Sequence, residues 1–212
     1  DRDGTETIYS PYSILALGIK ELEFRDDFPP HLKWVGYRCL SFDKLPKEQE
    51  QYFTTSKKRV LVTCGTHLKW EKERMVKLAQ ILSQEHPDYH FYVTLGNPSG
   101  LQNPPHHLNN NLLLFDYLPY TDILDKMDFV IHHAGSGILM GCIEQGIPSL
   151  ILPQDFDQFD NALRAELAQV GLVSRKKTDS EVLDLFQALI SQKDWPKLHS
   201  LTQISKAYQP TE

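Results

Sequence analysis

A glycine-containing turn is the segment of this sequence best suited to hold an anion. It reads His132-His133-Ala134-Gly135-Ser136-Gly137 and directly follows the apolar run Phe129-Val130-Ile131. Gly135 and Gly137 permit a tight turn and a close approach of the backbone to a ligand. If a helix begins there, its first amides and its dipole face the ligand, and His133 adds a further donor.

The glycine pattern of this turn has a second, purely structural interpretation. Ser136 would then cap the helix, and the histidines would only be solvated. With Gly141 the segment matches GxGxxG weakly, and no acidic residue follows about 20 positions later at a strand end, as a nicotinamide site requires. The pattern alone leaves both interpretations open.

Two further loops follow predicted strands and carry polar groups. In Cys64-Gly65-Thr66-His67 the Thr66 hydroxyl meets the same anion from another side, or it simply caps a helix. In the loop 153–158, carboxylates and amides stand in a row, an arrangement that holds the hydroxyls of a sugar or polyol. The alternative for this loop is a solvated acidic turn that caps the next helix.

Alternating strands and helices must position these loops. Strands are predicted at Val60–Thr63, Tyr89–Leu95, Leu112–Phe115, Phe129–Ile131 and Pro148–Leu152, and helices at Met75–Leu82, Thr121–Met127, Ser136–Gln145 and Asn161–Val170. The strands are apolar throughout, which is typical of a parallel sheet covered on both faces. The sequence thus predicts a doubly wound, Rossmann-like α/β domain of about six parallel strands. Its ligands would bind at the carboxyl ends of the strands.

The remaining segments carry weaker expectations. Residues 96–110 are predicted as a polar loop, and residues 1–58 as an extended, partly ordered linker ahead of a domain at 59–212. The helix at Asn161–Val170 is expected to place Leu163, Leu167 and Val170 on one face, with Gly171 just past its end. Thr178 and Glu181 predict a capping box for one more helix.

The composition and charge of the chain exclude some classes of function. The 212 residues carry 22 basic and 28 acidic side chains, a formal net charge of −6, which argues against nucleic acid as a partner. Three cysteines, Cys39, Cys64 and Cys142, lie far apart and fit reduced thiols in a cytoplasmic protein. The longest charge-free apolar run, 129–143, is too short and too polar to cross a bilayer.

Other catalytic arrangements are not found. No serine lies on a GxSxG elbow. The pairs His106-His107 and His132-His133 lack the i, i+4 spacing of a helical zinc site, so no metal and no cofactor are expected.

Taken together, these segments resemble the donor-binding domain of family 1 glycosyltransferases of the GT-B fold, closest to the bacterial natural-product and macrolide type. The residues are NLLLFDYLPY at 111–120 and DFVIHHAGSGILMGCIEQGIPSLILPQDFDQFDNA at 128–162. They follow the family's pattern of His-Gly-Gly-x-Gly-Thr, then Gly-x-Pro, then Pro-x-x-x-Asp-Gln-x-x-Asn-Ala. VLVTCGT at 60–66 and LEFRDDFPPHLKWVGYR at 22–38 extend the likeness over most of the chain.

The resemblance implies a role for each matching residue. The donor diphosphate would be held by the first loop and by the turn after the first strand, that is by Thr66, His133, Gly135, Ser136 and Gly137. Tyr117 would stack on the nucleotide base, and Leu118 would offer its backbone to the edge of the base. Asp157 and Gln158 would hydrogen-bond the hydroxyls of the transferred sugar.

The implied reaction is the inverting, metal-independent transfer of a hexose from a UDP- or dTDP-sugar. The catalytic base and the pocket for a small-molecule or lipid acceptor are expected in an N-terminal domain, so no catalytic residue is assigned within these 212 residues. Peripheral membrane association of the parent enzyme is compatible with a lipid acceptor.

Departures from the pattern keep other functions open. Ile138 stands where the family usually has a serine or threonine that contacts phosphate, Ala134 replaces a glycine, and Tyr120 replaces a common glutamine. The first alternative is a non-catalytic nucleotide-sugar-binding module that docks to a separate acceptor-binding chain. The second is an epimerase of the same fold, which Asp155 and Asp157 would serve.

Overall fold

The computed structural model describes residues 12–37 and 43–208, so Cys39 and the ends of the chain lie outside the described residues. The elements follow in the order β1 Ile14–Ala16, β2 Leu32–Trp34, α1 Lys47–Glu50, β3 Lys58–Thr63, α2 Lys72–Glu85, β4 Tyr89–Thr94, β5 His106–Asn109, β6 Leu112–Phe115, α3 Tyr120–Ile123, β7 Phe129–His132, α4 Ser136–Gln145, β8 Ser149–Ile151, α5 Gln158–Leu167, β9 Gly171–Val173, α6 Asp179–Ser191 and α7 Pro196–Ala207. Four short 3₁₀ turns, at 20–22, 51–53, 98–100 and 124–126, complete the described structure.

The main sheet has seven strands in the order β5-β6-β4-β3-β7-β8-β9. Every neighbouring pair is parallel except β5 and β6, which are antiparallel. The order moves outward from β3 first to one side and then to the other, as in a doubly wound fold. The predicted α/β class and parallel sheet are therefore confirmed.

The strands are buried on both faces, because helices cover both. On β3, Val60 and Val62 join one core cluster and Leu61 joins the other, and none of the three is exposed. Helices α2 and α6 pack on the first face, and the segment 123–127 packs on the second. This double cover is why the strands read as continuous apolar runs rather than as alternating ones.

The segment 96–110 is not only a loop, as predicted. Residues 106–109 form β5, an edge strand that pairs with β6 and is interrupted by a bulge between His107 and Asn109. An edge strand has one partner and a solvated face, so its side chains need not be apolar. The polar sequence of β5 therefore gave no strand signal.

The prediction for the helix after β8 is wrong in its bounds, and two of the three apolar residues expected on one face are exposed. Helix α5 begins at Gln158 and ends at Leu167, and Gly171 starts strand β9 instead of ending the helix. Leu163 is 40% exposed and Leu167 58% exposed. The buried residues of the helix are Gln158, Ala162 and Ala165 instead.

The stretch before the domain contains regular structure. Strands β1 and β2 pair in parallel, and α1 is followed by a 3₁₀ turn. Ile19 and Leu22 join one core cluster, whereas Leu45 and Phe53 join the other. Residues 12–37 and 43–58 thus pack on the sheet domain and help to close both of its cores, while the boundary at residue 58 stays a prediction.

The predicted cap of α6 is confirmed, with a different partner for its carboxylate. The Thr178 hydroxyl accepts the Glu181 amide at 3.3 Å. The Glu181 carboxylate accepts the Ser174 hydroxyl at 2.5 Å and the backbone amides of residues 175–177. It therefore stabilises the turn between β9 and α6.

Candidate donor-binding site

One cavity of about 630 Å³ opens at the carboxyl ends of the central strands. This is the edge at which ligands bind in open α/β sheets. All nine residues that the sequence assigned to a donor site line it, namely Thr66, Tyr117, Leu118, His133, Gly135, Ser136, Gly137, Asp157 and Gln158. The structure thus brings the nine residues together, and their roles toward a ligand remain predictions.

The turn between β7 and α4 forms the floor of the cavity. Helix α4 begins at Ser136, and its N-cap is Gly135 rather than Ser136. Ala134 has a φ of 68°, a conformation in which glycine is less strained than alanine. The His132 Nδ1 accepts the Ala134 amide at 3.0 Å and so holds this turn. Gly135, Ser136 and Gly137 line the cavity, so the N-terminus of α4 lies at its floor.

The His133 ring lies in a cradle formed by two glycines. A Cβ on Gly135 would lie 2.5 Å from His133 Nε2, and a Cβ on Gly65 would lie 2.8 Å from Cε1 of the same ring. A Cβ on Gly96 would in turn lie 2.3 Å from the Gly65 carbonyl oxygen. A side chain at Gly65 or Gly135 would displace the imidazole, and one at Gly96 would displace the Gly65 backbone, so the three glycines together define where the ring lies.

Both histidines of this turn are neutral at physiological pH. Burial lowers the pKa of His132 to about 3 and that of His133 to about 4, because the apolar surroundings disfavour the charged imidazolium. A hydrogen bond with the Thr63 backbone and, to a smaller extent, the nearby Asp157 carboxylate oppose the shift of the pKa of His133. A neutral imidazole still carries one N–H, so His133 can donate one hydrogen bond to an anion without bringing a positive charge.

The turn after β3 does not open a helix, contrary to the sequence-based expectation. Helix α2 begins only at Lys72, with Glu71 as its N-cap. Thr66 is therefore not a helix cap; it is an exposed residue of the loop 64–71 that lines the cavity. The Thr63 hydroxyl holds the start of this loop, because it accepts the Gly65 amide at 3.1 Å.

The loop between β8 and α5 is held by its own polar side chains. Gln158 is 6% exposed, and its Oε1 accepts the backbone amides of Gln154 and Asp155 at 2.9 and 3.2 Å. Its carbonyl oxygen therefore serves the loop, and its amide group is what it can offer a sugar. Asp157 is exposed and its Oδ2 accepts Asn161 Nδ2 at 3.0 Å.

Tyrosines form the opposite wall of the cavity. Tyr117 is half-buried and Leu118 is buried, and both line the cavity after strand β6. The Tyr120 hydroxyl lies 2.8 Å from the Thr63 hydroxyl. An aromatic ring and a backbone segment are thus available at this end, as the base-binding prediction requires.

Ile138 is the point at which the cavity lacks a donor. Its side chain is 2% exposed and packs in the second core cluster, in the first turn of α4.

Cys64 and Cys142 are both buried, as predicted for core thiols, and burial raises the pKa of Cys64 to about 11. A thiol with that pKa is not a nucleophile at neutral pH.

Sequence reasoning missed two aromatic residues at the mouth of the cavity. Trp70, on the loop after β3, is 63% exposed, and Phe156, on the loop after β8, is 76% exposed. Phe156 also has a φ of 52°, which is uncommon for a bulky residue. The only sequence signal for this pair was that Phe156, an aromatic residue, directly precedes the predicted sugar-binding residue Asp157.

Comparison with known proteins shows which family the chain is similar to. Residues 93–194 match the family described as Erythromycin biosynthesis protein CIII-like, C-terminal domain. The match covers just under half of the chain and makes it similar to the C-terminal domain of family 1 glycosyltransferases. The resemblance stated from sequence is thereby confirmed, and the matched segment runs from strand β4 to the end of α6.

Curated relatives of this chain are longer proteins. It is 27% identical over 179 residues to human UDP-glucuronosyltransferase 2A2, a match that covers 81% of this chain and 32% of the relative. It is 26% identical over 220 residues to human UDP-glucuronosyltransferase 1A1, covering 90% of this chain and 40% of the relative. The chain thus spans between about a third and two fifths of the length of these relatives.

Solved glycosyltransferases share the fold. Spinosyn rhamnosyltransferase SpnG complexed with thymidine diphosphate superposes with a TM-score of 0.77 at 21% identity, covering 97% of this chain and 56% of the other. Glycosyltransferase VinC in complex with dTDP superposes with a TM-score of 0.73 at 18% identity, covering 92% and 48%. The predicted half of a GT-B fold is confirmed. Within the described residues, each helix is too short or too polar to span a membrane.

Proposed function

We propose that this chain is the donor-binding half of a glycosyltransferase that moves a hexose from a UDP- or dTDP-sugar to an acceptor hydroxyl with inversion. The observation that carries the proposal is the cavity at the carboxyl edge of the sheet. There the amides of α4 and the His133 ring meet an aromatic wall on one side and a loop with Asp157 and Gln158 on the other.

The diphosphate would lie on the floor of the cavity. The amides at Gly135 to Gly137 would donate to its oxygens, and the helix dipole would favour its negative charge. His133 would add one N–H, and the exposed Thr66 hydroxyl would approach from the loop after β3. Each group gains strength as the leaving diphosphate becomes more negative, which is the form of stabilisation that accelerates transfer.

The base and the sugar would occupy opposite ends. Tyr117 would stack on the base while Leu118 offers its backbone to the base edge. Asp157 and the amide of Gln158 would orient the sugar through its hydroxyls. The half-buried aromatic wall and the exposed loop suit these two ligands respectively.

In the transfer step, the acceptor oxygen would attack the anomeric carbon from the side opposite the diphosphate. The bond between that carbon and the β-phosphate oxygen breaks, and the nucleoside diphosphate leaves with the electron pair. The acceptor proton passes to a base that we place outside this chain, in the acceptor-binding part of the parent protein. The attack inverts the configuration at the anomeric carbon.

Thermal unfolding with and without nucleotides tests the proposal. A ligand at 100 times its dissociation constant adds about 2.7 kcal/mol to the free energy of unfolding. For a domain of this size the midpoint should rise by about 5–10 °C. UDP or dTDP should produce this rise and NAD should not. If neither nucleotide raises the midpoint at millimolar concentration, the chain is not a donor-binding domain.

His133 supplies the residue-level test. His133→Asn should reduce the rise in the midpoint, because one donor to a charged group is worth roughly 1.5–3 kcal/mol. His106→Asn is the matched control, since His106 is exposed on β5 and does not line the cavity. An equal midpoint rise in both variants would remove His133 from the diphosphate site.

A second candidate is a non-catalytic nucleotide-sugar-binding module that docks to a separate acceptor-binding chain. The burial of Ile138, which leaves one phosphate contact unmade, is the observation that favours it. The coding sequence upstream of this chain decides between the two candidate functions. An acceptor domain of roughly 150–200 residues encoded upstream in the same reading frame supports the transferase, in keeping with the usual size of a domain.

A further inference from the structure

Helix α5 presents its large apolar side chains to solvent. Phe159 is 51% exposed, which is comparable to the exposure of Leu163 and Leu167. The three residues are spaced by four, so they form one apolar stripe along the helix. The residues that the helix buries are small or polar and lie on its other side. A surface helix normally has the opposite arrangement, with its apolar stripe toward the core.

Two features widen the apolar stripe. On one flank, the half-exposed ring of Phe24 lies beneath the Arg164 guanidinium, with 5.5 Å between the guanidinium carbon and the ring centroid. On the other flank, a groove of about 180 Å³ runs between α5 and the turn after β9, and Phe159 and Leu163 line it. Lys177 Nζ lies at this groove, 5.1 Å from the centroid of the Phe159 ring.

The exposed area is large enough for a stable interface. The exposed fractions of Phe24, Phe159, Leu163 and Leu167 amount to about two whole side chains, or on the order of 350 Å² per copy. A standard interface buries about 800 Å² per partner, of which just over half is apolar. This surface therefore supplies most of the apolar area that one partner of such an interface needs.

The direction of α5 argues against the acceptor-binding part of the parent protein as the partner. The helix begins at Gln158 beside the donor cavity and ends at Leu167, about 14 Å away. An acceptor must meet the donor at the mouth of the cavity, whereas the apolar stripe runs away from the mouth along the side of the domain. The stripe is therefore available to another partner.

The charges beside the stripe suit a second copy of the same chain, with the two α5 helices antiparallel. On the groove flank, Lys177 lies beside Phe159, and Glu166 directly precedes Leu167 at the other end. A twofold axis at Leu163 would place Phe159 against Leu167 of the partner copy. Lys177 would then face Glu166 of the partner copy, so opposite charges meet twice in each dimer.

From these observations we infer that the chain forms a twofold-symmetric dimer through the outer face of α5. Twofold dimers are the commonest assemblies of soluble proteins, and each copy contributes the same surface. The antiparallel arrangement keeps the two donor cavities at opposite ends of the interface, where neither copy obstructs the other's acceptor. The inference goes beyond the proposed function, because the stripe lies outside the donor cavity.

Sedimentation of the 212-residue chain tests the dimer. The mean mass should rise toward that of two chains between about 1 and 200 µM, because interfaces of standard size have dissociation constants from micromolar to picomolar. Leu163→Glu should raise the dissociation constant about 100-fold or more, because it places two like charges in the centre of the interface. Leu17→Glu is the matched control, since Leu17 is more exposed and lies outside α5. A chain that stays monomeric, a dimer that survives Leu163→Glu or one that Leu17→Glu disrupts equally overturns the inference.

Cysteine cross-linking tests the arrangement without relying on a disruptive substitution. In a Cys39→Ser background, a mixture of Phe159→Cys and Leu167→Cys chains should form a disulfide-linked dimer on oxidation, seen on a non-reducing gel. Each variant alone should form little, because its two thiols would lie about 12 Å apart across the twofold axis. Cross-linking of each variant with itself and not with the other would contradict the antiparallel arrangement.

A charge exchange identifies the contact on the groove flank. Glu166 also holds Arg175 of its own chain at 2.5 Å, and a carboxylate has acceptor sites for a second cation. Lys177→Glu and Glu166→Lys should each weaken the dimer several-fold, because like charges would then meet at two places. The double variant should restore the dissociation constant to within about twofold. If the double variant is as weak as the two single changes combined, these residues do not face each other and the arrangement is wrong.

Discussion

The buried pair His132 and His133 makes the stability of this domain depend on pH in a way that one substitution can reveal. Both imidazoles have lowered pKa values in the folded chain, about 3 and about 4. In the unfolded chain each has a pKa of about 6.5. The unfolded state therefore binds more protons between these values, and the free energy of unfolding must fall as the pH falls below about 6.5.

The size of the effect follows from the pKa values. Between about pH 7.5 and pH 5, a histidine that titrates near 6.5 when unfolded and near 3 when folded lowers the free energy of unfolding by about 2 kcal/mol. His133 contributes a similar amount over the same range. We therefore expect a loss of about 4 kcal/mol from the two residues together, in addition to losses at other groups.

His132→Asn isolates one contribution. The Asn Oδ1 can replace Nδ1 as the acceptor of the Ala134 amide. The variant should be less stable at pH 7.5, because a smaller side chain leaves a cavity. Its loss between pH 7.5 and pH 5 should nevertheless be about 2 kcal/mol smaller than that of the unsubstituted chain.

Urea unfolding at the two pH values measures these losses. His106→Asn, an exposed position, is the control and should lose as much as the unsubstituted chain. If His132→Asn also loses as much as the unsubstituted chain, His132 is not the buried neutral group that the structure shows, and the reasoning fails.

Three further predictions concern the site. Gly65→Ala should lower the free energy of unfolding by about 1–3 kcal/mol, measured in urea, because Gly65 has a φ of 69° and a Cβ would lie 2.8 Å from the His133 ring. Asn161→Ala should weaken UDP-glucose binding several-fold in calorimetry while UDP binding changes less, because it releases Asp157 from Ala134. UDP-glucose should bind more tightly as the pH falls from about 7 toward 5, because a bound diphosphate raises the low pKa of His133; a flat profile would place the diphosphate away from this ring.

The parts of the fold that were predictable carry local signals. Helix α4 was predicted with its correct bounds, because Gly135 precedes it and Gly146, with a φ of 69°, ends it. The central strands were predictable because they are apolar on both faces. Strand β5 and the bounds of α5 were not, because the edge position of a strand and the packing of a helix depend on the tertiary arrangement.

The features of the site can likewise be divided into those that the sequence predicts and those that it does not. The positions of His133, Gly135 and Asp157 at strand ends follow from the fold rule that loops at the carboxyl edge meet. The internal use of the Gln158 carbonyl oxygen, the cradle of glycines around His133 and the exposed ring of Phe156 depend on side-chain packing across different loops. No spacing along the chain encodes such contacts.

The two edge strands of the sheet affect how the protein behaves at high concentration. One outer strand, β5, is four residues long, follows Pro104 and Pro105, and carries a bulge. The other, β9, has only three residues. Unpaired edges of long flat strands are templates on which a second chain can add a strand, and short, kinked or proline-flanked edges are poor templates. We therefore expect the folded domain to resist edge-to-edge aggregation, even though its centre consists of highly apolar strands.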